Sequence, residues 1–237
     1  MNPYPYPYHI LDFKQGDING DGILDYVYLI GQRSSLNEFE DHIFILIQDG
    51  RTHQATKIPL KNIGGYNGQL FLGPFTSKNK LDILFSMDTG GSGRYIYAYL
   101  YTIKNNQPIL IFDYDQFNGY SMYSAQFQND FKVSVISEKK DKKFIIDVSS
   151  NKKMYIDAGV YDKNGKLLKP TDGGVLALGN LSPIIQNYNE RYMLLGLQRI
   201  IGINNSDNLG AIQTYLKWDK KNFVPFFVQG LIMDQNN

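Results

Sequence analysis

The dipeptide Leu24-Asp25 returns as Leu81-Asp82, 57 residues further on, and each copy leads into an apolar, β-branched and aromatic run. Recurrence of a strand-forming phrase at about this spacing marks a chain assembled from copies of one small unit, as in propeller blades. The first unit reads as four short strands at residues 9–13, 25–30, 42–48 and 52–60, separated by turn signals. A second occupies 68–75, 81–87, 95–103 and 108–114. The third is weaker, at 124–128, 131–137, 143–149 and 153–161, followed by the hairpin signal Asp162-Lys163-Asn164-Gly165-Lys166. The fourth runs through 175–178, 192–201, 211–218 and 223–229. No amphipathic helix of useful length is evident, and residues 183–188 offer one helical turn at most. We therefore expect an all-β fold of antiparallel four-stranded repeats. The expected form is a small β-propeller of about four blades over residues 1–237 as a single domain, with a β-sandwich as the alternative. Pro and Tyr alternate from Pro3 to Tyr8, so residues 1–9 are expected to form an extended leader arm.

Between the first two strands lies Gly16-Asp17-Ile18-Asn19-Gly20-Asp21-Gly22-Ile23-Leu24-Asp25. Oxygen-bearing side chains fall at its first, third, fifth and ninth places, namely Asp17, Asn19, Asp21 and Asp25, and Gly20 and Gly22 permit a tight path. A hard cation takes about six to eight oxygens at ~2.3–2.6 Å, so these side chains, the Ile23 carbonyl and a water would suit Ca²⁺. An EF-hand would continue to a bidentate Glu at the twelfth place. Tyr28 stands there instead, inside a strand-like run, so the turn is set between two strands. The plain alternative is a solvated Asx/Gly turn.

This motif resembles that of the FG-GAP/VCBS repeat family, in which D-x-[DN]-x-D-G-x-x-D joins the first two strands of a propeller blade. Asp17 to Asp25 match it at every ligand place. The resemblance implies a calcium-stiffened blade and partners bound on the face away from the metal. Sister positions have lost the ligands: a shift of 57 gives Pro74, Thr76, Lys78 and Asp82, and a shift of 166 gives Pro183, Ile185, Asn187 and Arg191. One calcium is expected, not four.

A second stretch, Asp88-Thr89-Gly90-Gly91-Ser92-Gly93-Arg94, follows a strand but precedes no helix, which excludes a P-loop or dinucleotide turn. Asp88, Ser92 and Arg94 are candidate ligand-binding residues, with a flexible hairpin as the simpler reading. Asp113 and Asp115 would share one face if the strand continued through them, the arrangement a paired acid and base needs. The alternating Tyr95, Tyr97, Tyr99 and Tyr101 read as packing or as a platform for sugars.

A net charge of +1 gives no field to gather nucleic acid or an anionic membrane, and no apolar run approaches the ~18 residues of a membrane span. With no cysteine, thiolate catalysis and zinc–thiolate sites are excluded. These features point to a monomeric, non-enzymatic, calcium-stabilised binding module. Its expected partner is a protein or glycan at a cell surface, and its location secreted or cell-surface with the export signal absent from this chain. The alternatives are a hydrolase working in a propeller channel, a structural accessory domain, and a cytoplasmic location.

Overall fold

The computed structural model describes residues 7–33, 38–60, 63–139, 142–185 and 191–232. Their strands form four antiparallel sheets, accompanied by two short helices, so the protein is all-β. Among the described residues no helix is long and apolar enough to cross a membrane. The chain divides into two compact units. One comprises Met1–Tyr114, Leu181–Leu194 and Leu216–Val224, and the other Asp115–Asn180, Leu195–Tyr215 and Pro225–Asn237.

In the first unit, β1 (Tyr8–Gly16), β2 (Asp25–Arg33), β3 (Glu40–Gln48) and β4 (Ala55–Pro59) pair in chain order as one meander. A second meander follows as β5 (Tyr66–Gly73), β6 (Asp82–Asp88), β7 (Ile96–Lys104) and β8 (Gln107–Asp113). Strand β2 shows why these segments extend: Val27 and Leu29 are buried while Tyr26 and Tyr28 between them are half-exposed, the period of two that puts alternate side chains on opposite faces. Val27, Leu29, Ile45 and Ile47 join Leu70, Ile83 and Phe85 of the second meander in one apolar cluster. Each such side chain contributes roughly 1.5–3 kcal/mol on full burial. Beside a bulge in β1, the Asp12 carboxylate accepts the Leu70 N–H at 2.7 Å and stitches β1 to β5.

In the second unit, α1 (Tyr114–Tyr120) leads into β9 (Tyr123–Gln128), β10 (Lys132–Ser137) and β11 (Lys143–Asp147), a three-stranded meander. Helix α2 (Lys152–Asp157) follows. Residues 171–173 then line the free edge of β9, where Phe127 N–H donates to the Thr171 carbonyl at 3.0 Å and Gly173 N–H to that of Ala125 at 2.9 Å. The fourth sheet, whose strands each contain residues of both units, takes β12 (Gly174–Ile184), β13 (Met193–Ile201), β14 (Asn208–Trp218) and β15 (Phe223–Ile232), again in chain order.

All but one of the strands read from the sequence overlap an observed strand. The exception is 153–161, which forms α2 and a turn rather than the third unit's last strand. A 3₁₀ turn over Ser149–Asn151 starts the helix, and Lys153 pairs with Asp157 one turn on at 2.5 Å. The Tyr155 ring is fully buried, and its hydroxyl donates to the Asp207 carboxylate, 2.9 Å from either oxygen. That tertiary anchor overrides the aromatic residue's strand preference.

Asp113 ends β8 and Asp115 lies in the first turn of α1, so the strand that would have aligned their carboxylates stops between them. Pro183 and Ile184 lie in β12, not in a helical turn, and residues 186–188 fall outside the described residues, as does Asn187. Tyr97 and Tyr99 both pack edge-on against Tyr114, which is packing and not an open platform. Strand β1 begins at Tyr8, inside the stretch expected as a leader, and residues 1–6 fall outside the described residues.

Candidate functional site

The register of β1 and β2 sets Gly16 opposite Asp25, and the chain between them is the oxygen-rich turn. Gly20 and Gly22 take φ values of 85° and 83°, a left-handed conformation in which a side chain is strained. The turn closes upon its own acceptors. Asp17 receives the N–H groups of Gly20 at 2.7 Å and Asp21 at 3.2 Å on one carboxylate oxygen, and that of Gly22 at 2.9 Å on the other. The Asn19 carbonyl accepts the Asp21 N–H at 2.9 Å, and Asp21 Oδ1 that of Ile23 at 2.8 Å.

The turn is also held from outside. Arg51, just after β3, donates through Nε to Asp21 Oδ2 at 2.7 Å and through a terminal nitrogen to the Asp21 carbonyl at 3.0 Å. That guanidinium holds the Asp21 carboxyl below the usual range. Asn19 Nδ2 donates to Asp49 Oδ2 at 3.0 Å. Asp25, only 1% exposed, accepts the Ile18 N–H at 3.0 Å and the Gly50 N–H at 2.9 Å, one on each oxygen. Burial pushes its carboxyl up, the two N–H groups oppose that shift, and the charges of Asp49 and Asp21 add to it.

The donor chemistry of the turn suits a hard cation: three carboxylates and a carboxamide oxygen at alternating places. The carboxylates are nonetheless turned onto N–H groups and onto Arg51. Among the described residues no group of three or more His, Cys, Asp or Glu side chains gathers as a metal-ligand set. The places expected for Ca²⁺ from the sequence are those of Asp17, Asn19, Asp21, Asp25 and the Ile23 carbonyl.

The matching turn between β5 and β6 keeps only the last carboxylate. Asp82, fully buried, accepts the N–H groups of Phe75 at 3.1 Å and Thr76 at 2.6 Å together with the Thr76 hydroxyl at 2.9 Å. Its neighbour in charge is Lys80, whose Nζ lies 3.7 Å from Asp82 Oδ1 and donates to Thr102 Oγ1 at 2.6 Å and the Ile103 carbonyl at 2.5 Å. An ammonium beside this turn thus comes from Lys80, at the place of Ile23.

Asp88, Ser92 and Arg94 share the β6–β7 hairpin. Asp88 Oδ2 accepts from Asn67 Nδ2 at 3.3 Å, Gly90 has φ 82°, and the Arg94 N–H donates to the Gly91 carbonyl at 3.0 Å. Arg51, Asp49 and Lys80 were not singled out from the sequence. The signal for the first two was the Asp49-Gly50-Arg51 turn, whose strand register sets it beside the motif.

These features define an all-β protein of chain-order meanders with an oxygen-rich turn between its first two strands. Residues 121–230 match the family described as YybI C-terminal domain. A Bacillus subtilis (strain 168) protein described as "Uncharacterized protein YybI" is 40% identical over 215 residues, spanning 91% of this chain and 82% of that protein. The chain belongs to the YybI family. No solved structure matches it.

Proposed function

We propose that the chain is a non-enzymatic binding module whose meanders are the blades of a small four-bladed propeller, of the FG-GAP/VCBS type, stiffened at its first turn by Ca²⁺. It works outside the cell on a protein or glycan at a cell surface, and the hairpin bearing Asp88, Ser92 and Arg94 contributes to that contact. The observation that carries the calcium reading is the contrast between the two equivalent turns. One sets oxygen donors at alternating places around two left-handed glycines, and the other has replaced them and brought in a lysine. Ca²⁺ would take over Asp21 from Arg51, since one carboxylate oxygen of Asp21 is held by that guanidinium.

Calorimetry on chelator-treated protein should give one Ca²⁺ per chain. Asp21→Ala should abolish the heat of binding while Gly20 and Gly22 still make the turn. Ca²⁺ at a hundredfold excess over Kd should stabilise the fold by roughly 2.7 kcal/mol, read as a higher Tm. No binding would reduce the loop to a self-capped Asx turn. The partner is sought on glycan and peptide arrays, where Arg94→Ala should weaken capture at saturating Ca²⁺ if the hairpin makes the contact.

A further inference from the structure

A cavity of about 120 Å³ opens to solvent beside the β1–β2 turn, within the first unit. Its apolar lining is Ile18, Ile47 and Ile103, all buried, and its charged lining is Asp25 and Asp49. Strands β2 and β3 pair Tyr26 with Gln48, so Asp25 and Asp49 face each other one step further along the same ladder. Both carboxylates accept only from neutral donors. Asp25 takes the N–H groups of Ile18 and Gly50, and Asp49 those of Arg51 and Thr52 and the Asn19 carboxamide. The Arg51 guanidinium pairs with Asp21 instead. Two adjacent negative charges, one of them almost fully buried, thus lack an ion pair among the described residues. Removing charges from water without a counter-charge is unfavourable.

The second meander shows how this same position is filled when the chain supplies its own cation. Strands β6 and β7 pair Ile83 with Tyr101, which sets Asp82 opposite Thr102 as Asp25 is set opposite Asp49. There the Lys80 ammonium lies on Thr102, on the Ile103 carbonyl and beside Asp82. In the first meander the residue at the place of Lys80 is Ile23, which carries no charge and is 36% exposed. The first position therefore has one carboxylate more than the second and one ammonium fewer.

We propose that the cavity binds a primary alkylammonium group, its ammonium between Asp25 and Asp49 and its methylenes on Ile18, Ile47 and Ile103. A space of about 120 Å³ lies well under the ~300–1,000 Å³ of drug-sized sites. It therefore admits a single short alkyl arm with its charged end, while the open mouth lets the rest of the ligand continue outside. Gln54 and Asn106, which also line the cavity, spend their carboxamides on no described residue and remain to meet that continuation. Anionic ligands are repelled by the two carboxylates. The arm belongs either to a free diamine or to a lysine side chain of a partner. The proposal does not require calcium in the turn, although Asp25 belongs to both sets; amine binding is therefore measured with Ca²⁺ removed.

The test is calorimetry on the full chain in a chelating buffer, titrated with n-butylamine, putrescine and an acetylated, amidated Gly-Lys-Gly peptide. n-Butanol and the same peptide acetylated on its lysine are the controls. Saturable 1:1 binding of the amines without binding of the controls is expected. Preference for putrescine identifies the free diamine, and preference for the peptide identifies a partner's lysine. Asp49→Asn, which keeps an oxygen for the turn, should weaken binding at least tenfold. Ile23→Lys, which installs the tether of the second meander, should abolish amine binding in a folded protein and raise its Tm. Absence of saturable amine binding, equal binding of butanol, or full affinity in both Asp49→Asn and Ile23→Lys would overturn the proposal. So would one-for-one displacement of the amine by Ca²⁺ in Asp21→Ala, which would make the cavity a metal site. Failure of Ca²⁺ to bind the wild-type turn would remove the calcium reading and leave this one standing.

Discussion

The turns that open β2 and β6 are built to one plan and neutralised in two ways. In each, the carboxylate at the start of the second strand accepts the N–H of the residue seven places earlier, Ile18 for Asp25 and Phe75 for Asp82. That clamp survives in the second turn although the other ligand places have become Pro74, Thr76 and Lys78. The last aspartate of the motif is therefore first a backbone clamp, whatever else it binds. Around the clamp the charges diverge. Asp82 sits beside Lys80, whereas Asp25 sits beside Asp49 and near Asp21, with the nearest guanidinium engaged elsewhere. One turn is complete in itself, and the other carries negative charge in excess.

The sharpest way to break this comparison is to remove the two clamps in turn. Asp82→Ala should destabilise the fold by about 3–5 kcal/mol, because two N–H donors, a hydroxyl and an ammonium lose a buried partner together. Asp25→Ala should cost only about 1–2 kcal/mol, since its two lost N–H bonds are partly offset by relief of repulsion. Urea denaturation midpoints compare the two, and an equal or larger loss for Asp25→Ala would mean the turns are not differently charged.

Lys80→Met comes next, at about 2 kcal/mol, as it leaves Asp82 buried without its cation. In a double-mutant cycle with Asp82→Ala the two losses should couple by about 1–3 kcal/mol. Additive losses would show that the ammonium serves Thr102 and Ile103 alone.

A smaller effect separates the turns by pH. The Asp25 carboxyl is raised in the folded chain, chiefly by burial, so the folded state holds its proton more firmly than the unfolded state. Stability from this group is therefore gained as pH falls through its folded range and lost as pH rises. Asp25→Asn, which keeps an acceptor for only one of the two N–H groups, should be less stable than wild type at neutral pH, and its deficit should widen as pH falls through the folded range of Asp25. A variant uniformly less stable across this range would remove the repulsion argument. The smallest structural effect is expected for Arg51→Ala, which should leave the Tm nearly unchanged while tightening Ca²⁺ binding several-fold, because the competing guanidinium is gone. Unchanged affinity would mean Arg51 never competes.

Strand positions were legible because the alternation of Val27 and Leu29 with tyrosines, and the apolar run at 43–47, state a period and a length that admit little else. Helix α2 was not legible, because what holds it is a hydroxyl meeting Asp207, a contact 52 residues away that no local window contains. The ligand places of the turn were readable by spacing. Their use as acceptors for the turn's own N–H groups was not, since one pattern of side chains serves both tasks. The clamp role of Asp25 was in view all along: Asp82 persisted after its companions had gone, a pattern that fits packing better than metal binding.

The way the two units share the chain bears on how this protein is made. The first unit holds the first 114 residues yet also needs 181–194 and 216–224, while the second begins at 115 and reclaims the chain after 225. A ribosome thus emits β1 to β8 and then adds 66 residues before the first completing piece begins at 181, and 101 before the last begins at 216. At about 5–20 residues per second this pause is on the order of ten seconds. A nascent chain that ends before residue 216 carries neither unit whole, and incompletely folded chains in general expose the apolar surface that chaperones cover.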